Sequence, residues 1–192
     1  MRHPALLDRN RTTILLIDVQ EGYRNALHGW ARVVAAARLV IRGASLLQVP
    51  LLVTEQYPRG LGHTATELAT EIGGDVGVIE KTSMSCCGSS DFTDRLAKSG
   101  REQVLVIGIE THACVNQTVH DLIALGYQVH VARDATSSRR TADVGPAWEK
   151  MRVAGMLPTS SEQALLELVR TAESADFKAI QRLLKDTSIP AE

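Results

Sequence analysis

Residues 103–132 read QVLVIGIETHACVNQTVHDLIALGYQVHVA, and their pattern decides the fold. Gln103 to Ile107 is a short β-branched run, and Gln128 to Ala132 is a second one. Between them Val115, Val119, Leu122 and Ile123 recur at helical spacing, and Gly126 stands where a left-handed cap ends a helix. A helix with one apolar stripe between two such runs is a β-α-β crossover, which makes the strands parallel. The same alternation extends outward, with runs at Thr13 to Ile17, Leu51 to Thr54 and Val76 to Ile79, and a shorter one at Gly155 to Pro158. Val33, Val34, Ala37, Val40, Ile41, Ala44 and Leu47 form the stripe of an earlier helix. Further helices are expected over Asp91 to Ser99, Arg139 to Val153, Ser161 to Arg170 and Asp176 to Lys185. The expected fold is α/β: a doubly wound, mostly parallel six-stranded sheet with helices on both faces. Residues 1–192 show no repeat or linker and are expected to form a single domain.

Composition narrows the function. Hydrophobic residues make up 44% and charged residues 22%, as in ordinary soluble domains. With 21 Lys plus Arg against 22 Asp plus Glu, the net charge of -1 offers no general attraction to nucleic acid or anionic membranes. The longest apolar runs fall far short of the roughly 20 residues of a membrane span. The opening MRHPALLDRNRTT lacks the apolar stretch of a secretion signal, so a cytoplasmic protein is expected. Three cysteines, two of them adjacent at Cys86 and Cys87, argue against a disulfide framework.

Open parallel sheets bind ligands beyond the carboxyl ends of their strands. Asp18 follows ILLI, Lys81 follows VGVIE, and Cys114 follows VLVIGIETHA. A carboxylate, an ammonium and a thiol on one rim can transfer a proton, stabilise charge and attack an electrophile. Each also has an ordinary reading: Asp18 as a turn or helix cap, Lys81 as a solvated lysine, Cys114 as a small buried hydrophobe. The context of Cys114 favours chemistry, because Thr111 as N-cap would put the thiol in a first helical turn. The helix dipole is then expected to lower its pKa.

Together LLIDVQ with Asp18, Lys81 after the third strand, and GIETHACV with Cys114 resemble the isochorismatase-like cysteine hydrolases over about residues 12 to 160. The resemblance implies that Asp18, Lys81 and Cys114 form a catalytic triad, and that the Ile109-Glu110 peptide is cis. It further implies amide or related C-N cleavage in a small molecule through a Cys114 thioester. Asp18 would be the acid and base, Lys81 the electrostatic stabiliser, and the backbone N-H groups of Glu110 and Cys114 the oxyanion hole. Helical faces left over after covering one sheet, with the resemblance, imply a homo-oligomer, a dimer or higher.

Nicotinamidases of similar triad also carry an Asp-x-His metal motif after the second strand. Here that region reads TEQYPRGLGH, residues 54–63, too poor in ligands for a metal, so neither metal nor cofactor is expected. True isochorismatases cleave a vinyl ether without a cysteine nucleophile, and TEQYPRGLGHT instead resembles the isochorismatase domain-containing subgroup. Gln56 to Thr64, with Pro58, Gly60 and Gly62, reads as a long loop that can line or cover the site. Gln20, Tyr57 and Ile109 are candidate substrate contacts, although Gln20 also reads as the start of a loop and Tyr57 as a packing anchor. His112 reads as a capping or surface residue, Cys86 and Cys87 as structural or redox-sensitive thiols, and Asp134 as a turn residue. Two alternatives stay open beside amide hydrolysis: a vinyl-ether hydrolase, and a non-enzymatic small-molecule binder whose Cys114 senses redox state. A dinucleotide oxidoreductase is disfavoured, because Asp18-Val19-Gln20-Glu21-Gly22 stands where a G-x-G-x-x-G cradle would follow the first strand.

Overall fold

A computed structural model describes residues 2–191. Six strands form one sheet: β1 (Thr12–Ile17), β2 (Leu51–Gln56), β3 (Ile79–Lys81), β4 (Gln103–Ile109), β5 (Gln128–Ser137) and β6 (Leu157–Thr159). Their spatial order is β3-β2-β1-β4-β5-β6, and every neighbouring pair is parallel. The helices are α1 (Trp30–Leu47), α2 (Pro58–Leu61), α3 (Thr66–Ile72), α4 (Ser90–Lys98), α5 (Asn116–Ala124), α6 (Val144–Val153), α7 (Ser161–Val169) and α8 (Phe177–Asp186).

Alternate residues of the central strands serve opposite faces, and two apolar clusters result. Ile14, Leu16, Leu105 and Ile107 pack with α1, α7 and α8, while Leu15, Ile17, Val104 and Val106 pack with α4, α5 and α6. Because both faces are covered, β1 and β4 are buried along their whole length and read as unbroken apolar runs. The strand order reverses direction between β1 and β4. The crevice beyond their carboxyl ends is where such sheets bind ligands.

Four boundaries differ from the sequence reading. The third strand is Ile79–Lys81 and not Val76 to Ile79, so Lys81 is its last residue and pairs with Gln56. Val76 packs against the core from outside the ladder, which explains why it looked like strand. The sixth strand starts later, at Leu157. The expected helix from Arg139 begins at Val144, because β5 continues to Ser137; its register against β4 jumps from Val106↔Val131 to Gly108↔Thr136. That bulge carries Asp134, expected as a turn residue, to the Ser161 N-H (2.9 Å) at the start of α7. Finally, the long loop is not unstructured: Gln56 closes β2, and Pro58–Leu61 form one helical turn behind Tyr57 at φ 39°.

One glycine lets the two central strands approach at the rim. Gly108 has φ 125°, and a Cβ there would lie 2.1 Å from the Ile17 carbonyl oxygen. Gly108→Ala is therefore expected to destabilise the protein by about 3 kcal/mol or more, read as a lowered urea midpoint. A midpoint unchanged from wild type would show that β1 and β4 can part without cost.

Candidate active site

The site is assembled from strand ends. Asp18 follows β1 in the left-handed region, at φ 52°, and its N-H donates to the Thr54 carbonyl (3.1 Å). The register Ile17↔Thr54 sets Thr54 beside it, and the Thr54 hydroxyl donates to Asp18 Oδ1 (2.7 Å). Lys81 Nζ donates to Asp18 Oδ2 (2.6 Å) and to Gln56 Oε1 (2.7 Å), with the carbonyls of Ser83 and Met84 at 3.2 Å each. The Asp18 and Lys81 side chains are 2% and 1% exposed. A buried charge pair persists only where further hydrogen bonds satisfy it, and Thr54, Gln56 and two carbonyls do so here.

Cys114 completes the group, 5% exposed, inside a π-type turn at Thr111–Val115 that leads into α5. The Ile109-Glu110 peptide before this turn is cis. Burial pushes the Cys114 thiol up to about 12; the Asp18 charge and its hydrogen bond raise it further, and the Lys81 charge works the other way. This corrects the expectation of a thiol lowered by a helix start. The physical reason is that Thr111 does not cap: its hydroxyl is buried without a partner, and the first turn is not α-helical. Desolvation and Asp18 outweigh any dipole. Burial also opposes the charge on Lys81, but Asp18 and the two neighbouring thiols, Cys86 and Cys114, hold its ammonium above the usual lysine range.

The structure thus brings Asp18, Lys81 and Cys114 together. The three expected substrate contacts fare differently. Gln20 is fully buried and spent on backbone: its amide donates to the carbonyls of Gln56 (3.0 Å) and Gly62 (2.6 Å) and accepts from the Gln56 N-H (2.7 Å). Ile109 is also fully buried, with its side chain in the apolar core. Only Tyr57 is open, at 53% exposure, on a cavity of about 580 Å³ shared with Arg59, Lys81 and Ser83. Glu110, whose carboxylate accepts from the Arg139 N-H (2.9 Å) and Nε (3.0 Å), lines a second cavity of about 260 Å³ with His112 and Arg140. His112 Nδ1 lies 2.9 Å from Ser138 Oγ, within the wall of the site. A depression of about 900 Å³ between residues 2–6 and α7 contains none of these groups.

Three side chains beside these groups escaped the sequence reading. Thr54 and Gln56 orient Asp18 and Lys81, and the available signal was a polar residue at every second position where β2 reaches the level of Asp18. The third is Tyr23, half-buried, its phenol pushed up to about 12 by burial and then by Glu110 and Cys114. Cys86 is fully buried, its sulfur 3.7 Å from the Thr54 hydroxyl that donates to Asp18. Among the described residues no group of three or more His, Cys, Asp or Glu is placed to hold a metal ion. No helix among them is long and apolar enough to cross a membrane.

Residues 12–163 match the family model of the isochorismatase domain. Isochorismatase domain-containing protein 1 of Salmo salar is 36% identical over 174 residues, 91% of this chain and 61% of the relative, so the chain spans about three-fifths of that protein's length. Isochorismatase domain-containing protein 2A of Mus musculus is 38% identical over 173 residues, 90% of this chain and 82% of the relative. Among solved structures, the MAR1 ribonuclease of Caenorhabditis elegans superposes with a TM-score of 0.91 at 35% identity, covering 97% of this chain and 95% of that one.

Proposed function

The chain belongs to the isochorismatase family, whose membership supports a hydrolase, and from that premise we propose a cysteine hydrolase that cleaves a small-molecule amide or related C-N bond. One observation carries this reading: the Asp18 carboxylate joins Lys81 Nζ at 2.6 Å in a buried cluster at the strand ends, near enough to Cys114 that both charges act on its thiol.

The steps follow from proton affinity. With Lys81 charged and Cys114 protonated, the resting site holds one proton to give, and Asp18 is the base in contact with it. As Sγ bonds to the acyl carbon, the thiol proton passes to Asp18 and negative charge moves to the carbonyl oxygen. Backbone N-H groups of Glu110 and Cys114 receive that oxygen, a contribution of about 3 kcal/mol per donor. Asp18 returns the proton to the nitrogen, the C-N bond breaks, and an amine leaves behind a thioester. Asp18 then takes a proton from water, hydroxide adds to the thioester, and the acid departs as Cys114 regains its proton. Lys81 keeps its charge throughout and holds Asp18 in place. Gln20 acts here as a positioning residue for the Gln56 backbone, and Tyr57 as the substrate contact.

We extend the reading to residues 1–192 as one hydrolase domain, cytoplasmic, without cofactor, and assembled as a homo-oligomer. Exposed Tyr57, Val78 and Met84 around the edge strand β3 offer apolar surface for a second copy. The ribonuclease name of the Caenorhabditis elegans structure makes RNA the second substrate to assay.

A panel of small amides and ureides, with a single-stranded RNA, tests the chemistry by ammonia release and by intact mass of the quenched enzyme. Ammonia together with an acyl adduct on Cys114 is the expected result. Ammonia without an adduct in any quench would replace covalent catalysis by direct water attack, and RNA cleavage alone would replace the substrate class.

A further inference from the structure

Three acids are buried among the described residues, and one of them has an oxygen to spare. Asp18 is satisfied on both sides, by the Thr54 hydroxyl and by Lys81 Nζ. Glu55 accepts at Oε1 from the Thr64 N-H (2.6 Å) and hydroxyl (2.7 Å), and its Oε2 faces His63 Nδ1 at 3.0 Å. Glu110, 4% exposed, differs: the N-H and Nε of Arg139 both donate to Oε1, and no described group hydrogen-bonds Oε2. That oxygen is not among the polar atoms sealed away without a partner, as Thr111 Oγ1 and Trp148 Nε1 are, so it reaches the cavity of about 260 Å³ that Glu110 lines. A buried carboxylate oxygen that meets no donor is costly, and a donor from outside the chain removes that cost.

We infer that Glu110 sets the specificity of the proposed hydrolase: its Oε2 accepts a hydrogen bond from an uncharged N-H, amide or ureido, that the substrate carries beyond the scissile bond. The assignment rests on the hydrolase reading for the chemistry and on the cavity for the recognition. The cavity's charges balance, Arg139 and Arg140 against Glu110 and Asp143, so neither an ammonium nor a carboxylate is favoured by the whole. Its remaining lining side chain, His112, is held by Nδ1 against Ser138 Oγ.

The position of the carboxylate follows from the sheet. Ile109 pairs with Ser137, so the segments leaving β4 and β5 run side by side and bring Arg139 onto Glu110. Glu110 is also the residue whose backbone N-H is assigned to the oxyanion. One residue would thus hold the scissile carbonyl by its main chain and a second group of the same molecule by its side chain. The half-buried Tyr23 phenol is acted on by the charges of Glu110 and Cys114 alike, which makes the carboxylate and the thiol neighbours around one ring.

An NMR titration of the Cys114→Ala protein reads binding without turnover, so its failure and that of the hydrolase reading, tested by ammonia release, are separate results. The reporter is the Arg139 backbone amide, which donates to Glu110 Oε1. The probes are malonamide and succinamide, each against its dimethyl ester, which keeps both carbonyls and has no N-H. A saturable shift of the Arg139 signal is expected, with the better diamide bound about tenfold more tightly than its ester. Glu110→Gln keeps an oxygen for Arg139 but puts an NH2 group in place of Oε2, and should erase that gap. Glu110→Asp, which withdraws the oxygen, should do the same if the glutamine variant does not fold. Equal affinity for diamide and ester, a gap that persists when Glu110 is replaced, or no saturable shift with any of the four probes would overturn the assignment.

Discussion

Cys114→Ala is expected to abolish turnover, by roughly 10⁴-fold or more, and to leave no acyl adduct after quenching. The size of the effect follows from what the sulfur does: Asp18 and Lys81 remain paired in the variant, but no atom is left that can bond to the acyl carbon. The fold should survive. Cys114 contributes one buried sulfur to a cluster that also holds Val115, Val119 and Leu122, so the cost in stability is about 1 kcal/mol. Turnover measured beside circular dichroism and a urea midpoint separates the two effects. Full activity in the folded variant would exclude the thiol as nucleophile and return the chain to the vinyl-ether reading, in which no covalent bond to cysteine forms. Loss of activity with loss of fold would be resolved by Cys114→Ser, which keeps the volume and offers a much weaker nucleophile.

The sheet was legible because its strands are buried on both faces, and burial on both faces writes an apolar run into the sequence. β1 and β4 were read within a residue or two on that basis, and their ends gave Asp18 and Cys114 directly. β3 was misplaced because it is an edge strand of three residues, Ile-Glu-Lys, with one exposed side chain and no run to read. α3 was missed for a related reason. Of its seven residues only Leu68 is buried, so it carries no stripe, and it is tied down by polar contacts such as Arg24 to Glu67 (2.7 Å). The protonation state of the site was not legible at all. A thiol near a helix start has a low pKa only if the start is capped and solvated, and the π-type turn at Thr111–Val115 is neither visible in the pattern GIETHACV nor open to water. Thr54 and Gln56 illustrate the same limit: the sequence shows a threonine and a glutamine in a strand, and only the register of β1, β2 and β3 turns them into partners of Asp18 and Lys81.

Asp18→Asn separates reactivity from catalysis, because it moves the two in opposite directions. In the wild type the Asp18 charge raises the Cys114 thiol and the Lys81 charge lowers it, on top of burial, with the outcome of about 12. Removing the carboxylate charge leaves the ammonium alone beside the sulfur, so the thiol must become more acidic. Each unit of that fall raises the thiolate fraction tenfold at any pH below the pKa. Iodoacetamide should therefore label Cys114 at least tenfold faster in Asp18→Asn than in wild type at pH 7 to 8, and the rate should level off at lower pH. Access to the sulfur is the same in both proteins, since asparagine keeps the shape of aspartate and can still accept from Thr54 or Lys81. Turnover should nonetheless fall by about 10² to 10⁴, because asparagine cannot take the thiol proton, return it to the leaving nitrogen or activate water. A thiol that is only a buried hydrophobe predicts no change in labelling. A redox sensor predicts faster labelling with no turnover to lose. Labelling no faster than wild type would show that Asp18 does not govern the charge on Cys114, and with that the shared proton on which the proposed chemistry runs would be gone.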